Sequence, residues 1–308
     1  MTKSALPASL VREAVEARLG PVDDFEPLPE GLVSQVFAFR RGGEAFVVRV
    51  GLDRAGYEKD AFVARSFARP GLPVPEVIAI EPVGEGLTLC VSRRAAGMRL
   101  HDAPLADAER LAPALLGVLD ALGRADIAAL EGFGTFDARG HGRCASWREH
   151  LLRFNAGADA WLSRLPAADA AATARALAEI ERLAPAAPVV RGLVHGDLGG
   201  ANLIVDGAQV TGVIDWDRAL AGDPAYDAAN LFFWGEARFA PVCAALAQRH
   251  AGDAAWRPTL LGYQLRLAVE EIHDVALLDA PVDLPWLLGR LRELLSEAGA
   301  GRAMGARP

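Results

Sequence analysis

The hydrophobic pattern of this chain shifts, near residue 100, from mainly strand-like to mainly helical spacing, and that shift limits the architectures open to it. Between Ser34 and Ser92 the apolar residues come in short β-branched and aromatic runs: "SQVFAFR", "AFVVRV", "EVIAIEP" and "LTLCVS". The first two are separated by "RGGE" and read as a hairpin. One helical segment lies among them, about Tyr57–Ala68, with Phe62, Val63, Ser66 and Phe67 on one side and the Pro and Gly of "RPGLPVPE" at its end. These pieces predict a sheet of about five strands crossed by one helix. Beyond "RRAAGMRLHD" the segments become Ala/Leu-rich with helical spacing, at about Leu105–Gly123, Trp147–Leu165, Ala170–Leu183, Asp223–Trp234, Pro241–His250, Trp256–Leu278 and Leu284–Ala298. The chain is therefore read as α+β, with a mainly helical second part that one β-hairpin interrupts. Leu10, Ala14, Val15 and Leu19 fit an N-terminal amphipathic helix, and the tail "GAGRAMGARP" is expected to fray.

With 308 residues, 52% of them hydrophobic, the chain can bury a sizeable core. A net charge of -8 argues against nucleic acid as its partner, since phosphate backbones call for a basic surface, and it suits a cationic small molecule better. Cys90, Cys144 and Cys243 form no CxxC pair and are expected to be reduced thiols. The N-terminus has no apolar signal core, and no charge-free stretch of about 20 residues suits a membrane span, so a cytoplasmic protein is expected.

The interrupting hairpin, "LVHGDLGGANLIVDGAQVTGVIDWD" over 193–217, concentrates polar groups among β-branched residues. Asp206-Gly207 is a hairpin turn, so Asp197 and Asn202 fall on the loop before the hairpin and Asp215 at the end of its last strand. This geometry lets all three reach one end of the sheet. An Asp, an Asn and a second Asp suit phosphoryl transfer: one carboxylate takes the proton of an attacking hydroxyl, and hard oxygen donors hold magnesium against nucleotide phosphates. The spacing is that of the kinase loop HxDxxxxN followed by a metal-binding Asp. His195 is read as a brace for the loop, and Asp217 has no assigned role.

"HGDLGGAN" with "VIDWD" resembles the signatures of the aminoglycoside phosphotransferase family, small-molecule kinases of two-lobed protein-kinase-like fold. "EGLVSQVFAF", "EKDAFVARSFARPGLPVPEV", "SRRAAG" and "GDPAYDAANLFFW" are similar, in order, to segments of the branch that acts on hygromycin B. The resemblance implies an antiparallel N-terminal nucleotide lobe (1–91), a hinge (92–98) and a helical catalytic and acceptor lobe (99–308). It implies ATP and Mg2+ as cofactors, Asp197 as catalytic base, and Asn202 and Asp215 as magnesium ligands. "PEGLVSQV", Pro29 to Val36 and including Ser34, becomes the turn that covers the nucleotide; it holds one glycine, Gly31, and no GxGxxG or Walker A motif occurs.

The third strand should then present a phosphate-holding cation. Lysine occurs only at positions 3 and 59, and "FVVRV" offers Arg49 instead. Glu58 is its first expected carboxylate partner and Asp60 the second. "LCVSRRAAG" resembles the adenine-holding hinge, with backbone groups of Ser92 and Arg94 and with Cys90 and Val91 packed nearby. A polycationic acceptor calls for carboxylates on the later helices. Asp227, Glu236, Glu270, Glu271 and Asp274 are the candidates, with Trp234 to stack on a sugar ring. A monomer that phosphorylates an aminoglycoside hydroxyl, conferring resistance, is the expected activity. Rival readings are a kinase for choline, a sugar or a macrolide, and a nucleotide-binding pseudokinase.

Overall fold

The computed structural model describes residues 6–29, 34–84, 86–184, 191–278 and 283–305. In chain order, α1 (Ala8–Leu19) precedes β1 (Asp23–Pro27), β2 (Gln35–Arg41) and β3 (Glu44–Gly51). Then come α2 (Arg54–Phe67), β4 (Val77–Gly84), β5 (Leu87–Arg93) and the two-residue β6 (Met98–Arg99). Next are α3 (Ala108–Gly123), β7 (Phe133–Phe136), β8 (Gly142–Cys144), α4 (Trp147–Leu152), α5 (Ala158–Leu162) and α6 (Ala167–Leu183). The chain continues through β9 (Gly192–Val194), β10 (Leu203–Asp206), β11 (Gln209–Val213), β12 (Leu220–Gly222), α7 (Ala225–Trp234), α8 (Ala240–Arg249), α9 (Trp256–Leu278) and α10 (Leu284–Gly305).

Two compact units result. The first comprises Met1–Ala103, Asp137–His141 and Gly200–Arg218, and the second the remainder. In the first, β1-β2-β3-β5-β4 form an antiparallel sheet. Its fifth strand, β1, escaped the sequence reading because "DDFEP" carries one apolar aromatic among acids. Alternation along β3 buries Phe46, Val48 and Val50 against α1, through Val11 and Val15, each contributing roughly 1.5–3 kcal/mol. Arg49 therefore projects to the opposite face, where α2 lies. The sheet is thus covered by a helix on each face, not by one helix alone. On α2, Phe62, Val63 and Phe67 are buried as expected while Ser66 is exposed.

The hairpin β10–β11, expected within the helical part, packs with the first unit. β10 pairs with β6, Val213 N–H donates to Pro73 O at 2.7 Å, and Thr211 Oγ1 donates to Ala96 O at 2.6 Å. In the second unit β8-β7-β12-β9 form a small sheet that the helical periodicity did not announce. β12 runs antiparallel to β9, with Leu220 opposite Val194 and Gly222 opposite Gly192. The chain then turns at Asp223, whose carboxylate accepts the Ala225 N–H two residues on at 3.0 Å, and α7 runs back beside the end of β9, where Asp227 meets the His195 and Gly196 N–H groups. The expected helix Trp147–Leu165 is two short helices, because Gly157 adopts a left-handed φ of 69° between them. The backbone of α10 stays helical through Gly305, where fraying was expected.

Candidate active site

In the second unit β9 delivers the chain into the loop that carries Asp197. Gly196 turns at a φ of 81°, a conformation that favours glycine. His195 is fully buried, and its Nδ1 accepts the Asp197 N–H at 3.3 Å, as expected of a brace. The backbone N–H groups of His195 and Gly196 donate to Asp227 Oδ2 and Oδ1 at 2.8 and 2.9 Å. Asp227 is fully buried. It therefore serves as a clamp on the loop and not as the acceptor-facing carboxylate expected. Burial pushes its pKa up to about 7; the two N–H donors oppose the rise and the nearby Asp197 adds to it.

One turn along α7, Asn230 donates from Nδ2 to Leu198 O at 3.2 Å and accepts Trp234 Nε1–H at 3.1 Å. Trp234, half-buried, stacks parallel to Trp286 with ring centroids 5.3 Å apart. Asn230 and Trp286 were not singled out in the sequence. The i, i+3, i+7 spacing of Asp227, Asn230 and Trp234 is the signal that places them on one helix face.

The remaining acidic candidates are engaged. Glu270 Oε2 lies 3.1 Å from Nη1 of Arg266, a fully buried guanidinium, and Glu270 Oε1 lies 3.5 Å from Arg153. Asp274 Oδ1 is 3.0 Å from His273 Nδ1, Glu236 Oε2 is 3.4 Å from Arg238, and Glu271 is buried. Glu270 and Asp274 share a face of α9 as predicted, but Glu270 there balances the buried Arg266 and the exposed Arg153.

In the first unit Arg49 meets Asp60 at 2.5 Å. Glu58 instead pairs with Arg54 at 2.8 Å on the exposed side, which corrects the first choice of partner. Two residues at ~100° per residue put Glu58 and Asp60 on opposite sides of α2, and only Asp60 faces the sheet. Burial works against the Arg49 charge, but the Asp60 carboxylate, through its charge and its hydrogen bond, outweighs it and raises the pKa. Its guanidinium also lies 5.0 Å over the Tyr57 ring, whose hydroxyl shares a 2.9 Å hydrogen bond with that of Ser34. Of the nucleotide-covering turn, residues 30–33 lie outside the described residues. Ser92 sits in the ladder opposite Val47 and Val77, and the Arg94 N–H donates to Ala45 O at 2.9 Å. That N–H is therefore already bonded within the sheet.

Asp60 does a second task. Its Oδ1 accepts Trp216 N–H at 3.0 Å, while Lys59 Nζ donates to Asp217 O at 2.5 Å. Consecutive residues of α2 thus hold the backbone on either side of the Trp216–Asp217 bond, and Lys59 was overlooked because lysines normally remain solvated. Asp215, just before, is exposed and has a φ of 65°, a strained position for a non-glycine residue that recurs at functional sites. Ile214 N–H donates to Asn202 O at 3.0 Å, so Asn202 and Asp215, two of the three residues expected at one end of the sheet, share one end of the hairpin. Among the described residues no group of three or more His, Cys, Asp and Glu could hold a metal. Two oxygen-bearing side chains nevertheless fit magnesium, which keeps waters and takes phosphate oxygens as its other ligands.

Residues 24–295 match the model of the phosphotransferase enzyme family. The hygromycin-B 4-O-kinase of Escherichia coli is 35% identical over 312 residues, spanning 98% of this chain and 89% of that protein. A viomycin phosphotransferase of Streptomyces vinaceus is 43% identical over 61 residues, 18% of this chain and 21% of that one. Among solved structures, aminoglycoside phosphotransferase APH(4)-Ia superposes with a TM-score of 0.89 at 32% identity, over 95% of this chain and 99% of that one. A thermostable mutant of it, in ternary complex with AMP-PNP and hygromycin B, gives 0.87 at 34% identity, over 94% and 99% of the two chains.

Proposed function

The chain belongs to the phosphotransferase enzyme family, with the α+β kinase-like fold, and from that premise we propose that it transfers the γ-phosphoryl group of ATP to a hydroxyl of a hygromycin B-like aminoglycoside. Residues 1–91 form the nucleotide part, 92–98 the hinge and 99–308 the acceptor part in this reading. It is a cytoplasmic monomer, where ATP is at hand, with no nucleic-acid partner, and it confers resistance. The observation that carries the reading is the bracing of Asp197: α7 holds the backbone on both sides of it through Asp227 and Asn230, and His195 holds its own N–H. A carboxylate so restrained, on a loop of kinase spacing, suits a positioned base.

In this mechanism Asp197 accepts the proton of the acceptor hydroxyl as its oxygen bonds to the γ-phosphorus, and the bond to the β–γ bridging oxygen breaks to release ADP. Asn202 and Asp215 hold magnesium, which supplies charge neutralisation for the phosphates when bound. Arg49, kept charged and oriented by Asp60, takes the place of the usual phosphate-binding lysine. The half-buried Trp234–Trp286 pair offers an apolar face for a sugar ring.

The engagement of Glu270 by Arg266 and Arg153 favours a second reading, a neutral sugar acceptor, over a polycation bound at α9. Incubation with ATP, magnesium and, separately, hygromycin B, other aminoglycosides, choline, sugars and macrolides distinguishes these. ADP release together with a mass gain of one phosphate on hygromycin B is the expected result. Transfer only to another acceptor overturns the substrate, and silence across the panel overturns the enzyme.

A further inference from the structure

Asn230, 2% exposed, lies between the backbone that follows Asp197 and an indole that reaches solvent. The orientation of its amide is chemically determined. A backbone carbonyl only accepts, so Nδ2 faces Leu198 O; an indole N–H only donates, so Oδ1 faces Trp234. Turning the amide end for end breaks both bonds. Trp234 in turn lies flat on Trp286, their planes 1° apart, and Trp286 is 40% exposed. Asp227, on the N-terminal side of Asp197, ends in a buried carboxylate whose hydrogen-bond donors, among the described residues, are the His195 and Gly196 N–H groups of the loop itself. Asn230, on the C-terminal side, links it to an aromatic pair at the surface.

We propose that Asn230 is a positioning residue that couples the Trp234–Trp286 pair to the Leu198 carbonyl, so that an acceptor ring packed on the pair restrains the backbone carrying Asp197. The coupling follows from the contacts alone. Its catalytic consequence rests on the phosphotransferase reading above. A free indole can rock on its partner, and each excursion strains or breaks the bond to Oδ1 and loosens the amide's hold on the loop. A ring stacked on the pair removes that freedom.

The test uses the full chain with Asn230→Ala, Asn230→Asp, Trp234→Phe and the double variant Trp234→Phe/Asn230→Ala. Hydrogen exchange of amides 195–199, followed by mass spectrometry without acceptor, should quicken about threefold to tenfold in N230A and W234F, with the double variant no faster than N230A. In steady state with hygromycin B, N230A should lower kcat about 10- to 100-fold with the acceptor KM within about threefold. N230D keeps an acceptor for the indole but loses the donor to Leu198, and should fall with N230A. W234F should lower kcat by a smaller factor and add nothing to N230A. Additive losses, or a W234F loop that exchanges like the wild type, overturn the coupling. Should N230A not fold, W234F alone decides, since it keeps an aromatic ring against Trp286 while removing the indole N–H that fixes Oδ1, together with the fused pyrrole ring that carries it. A wild type that phosphorylates nothing overturns the phosphotransferase reading, and the exchange arm still decides the coupling.

Discussion

Asp227 on α7 and Asp60 on α2 do similar mechanical work in the two units. Each is a buried helix carboxylate that accepts backbone N–H groups of a polar motif: His195 and Gly196 in one case, Trp216 in the other. They differ in charge balance. Asp60 also holds the Arg49 guanidinium, whereas among the described residues the donors to Asp227 are two neutral N–H groups. A carboxylate anchored by neutral donors in a dry site is easily protonated, and Asp227 is pushed to about 7. One anchored by a half-buried cation makes a pair whose halves cannot be parted cheaply. The same task is thus done once by a pH-sensitive device and once by a rigid one.

The largest effect should leave both anchors intact. Asp197→Ala is expected to cut turnover about 10²- to 10⁴-fold while nucleotide affinity, by equilibrium titration, stays near the wild-type value. Undiminished turnover would show that the loop is braced for some other purpose. Asp60→Ala should come next: it leaves a half-buried guanidinium and the buried Trp216 N–H without their partner, and urea unfolding should register a loss of about 3 kcal/mol.

Asp227 sharpens the comparison through pH. Its pKa is raised from 3.8 to about 7, so across that window the folded chain keeps a proton that the unfolded chain releases. Its contribution to stability is therefore fullest below the unfolded value and declines as pH rises toward the folded one. Unfolding curves of the wild type should show that decline, and Asp227→Asn should show less of it, from a lower starting stability because an amide oxygen accepts only one of the two N–H groups well. An equally steep decline in both proteins would assign the titration elsewhere. Glu58→Ala should do least, within about 0.5 kcal/mol, because the exposed pair with Arg54 is an ordinary i, i+4 contact. A loss as large as that of Asp60→Ala would erase the distinction between the two faces of α2.

Much of this was legible because some physical constraints are local. The β-branched run "AFVVRV" read as a strand, whose alternation in the structure puts Phe46, Val48 and Val50 on one face and Arg49 on the other, and the turn at Asp206-Gly207 placed Asp197 and Asn202 on the loop before the hairpin. The choice between Glu58 and Asp60 was not legible, since it turns on the rotation of α2 about its axis, which packing against the sheet sets. The role of Asp227 was misread for a related reason. An acid on a helix is normally solvated, and only the return of α7 along β9 buries this one beneath the loop.

What the sequence determined by itself was the chemistry: residue types at kinase spacing on a β-rich segment, and a change of period that divides sheet from helices. Tertiary structure alone decided the partners. It paired Asp60 with Arg49, gathered the hairpin onto β6, and set Asn230 between Leu198 and Trp234. Spacing along a chain fixes which side chains share a face, but a hydrogen bond needs two surfaces, and the second comes from residues distant in sequence whose placement depends on the packing of the whole core.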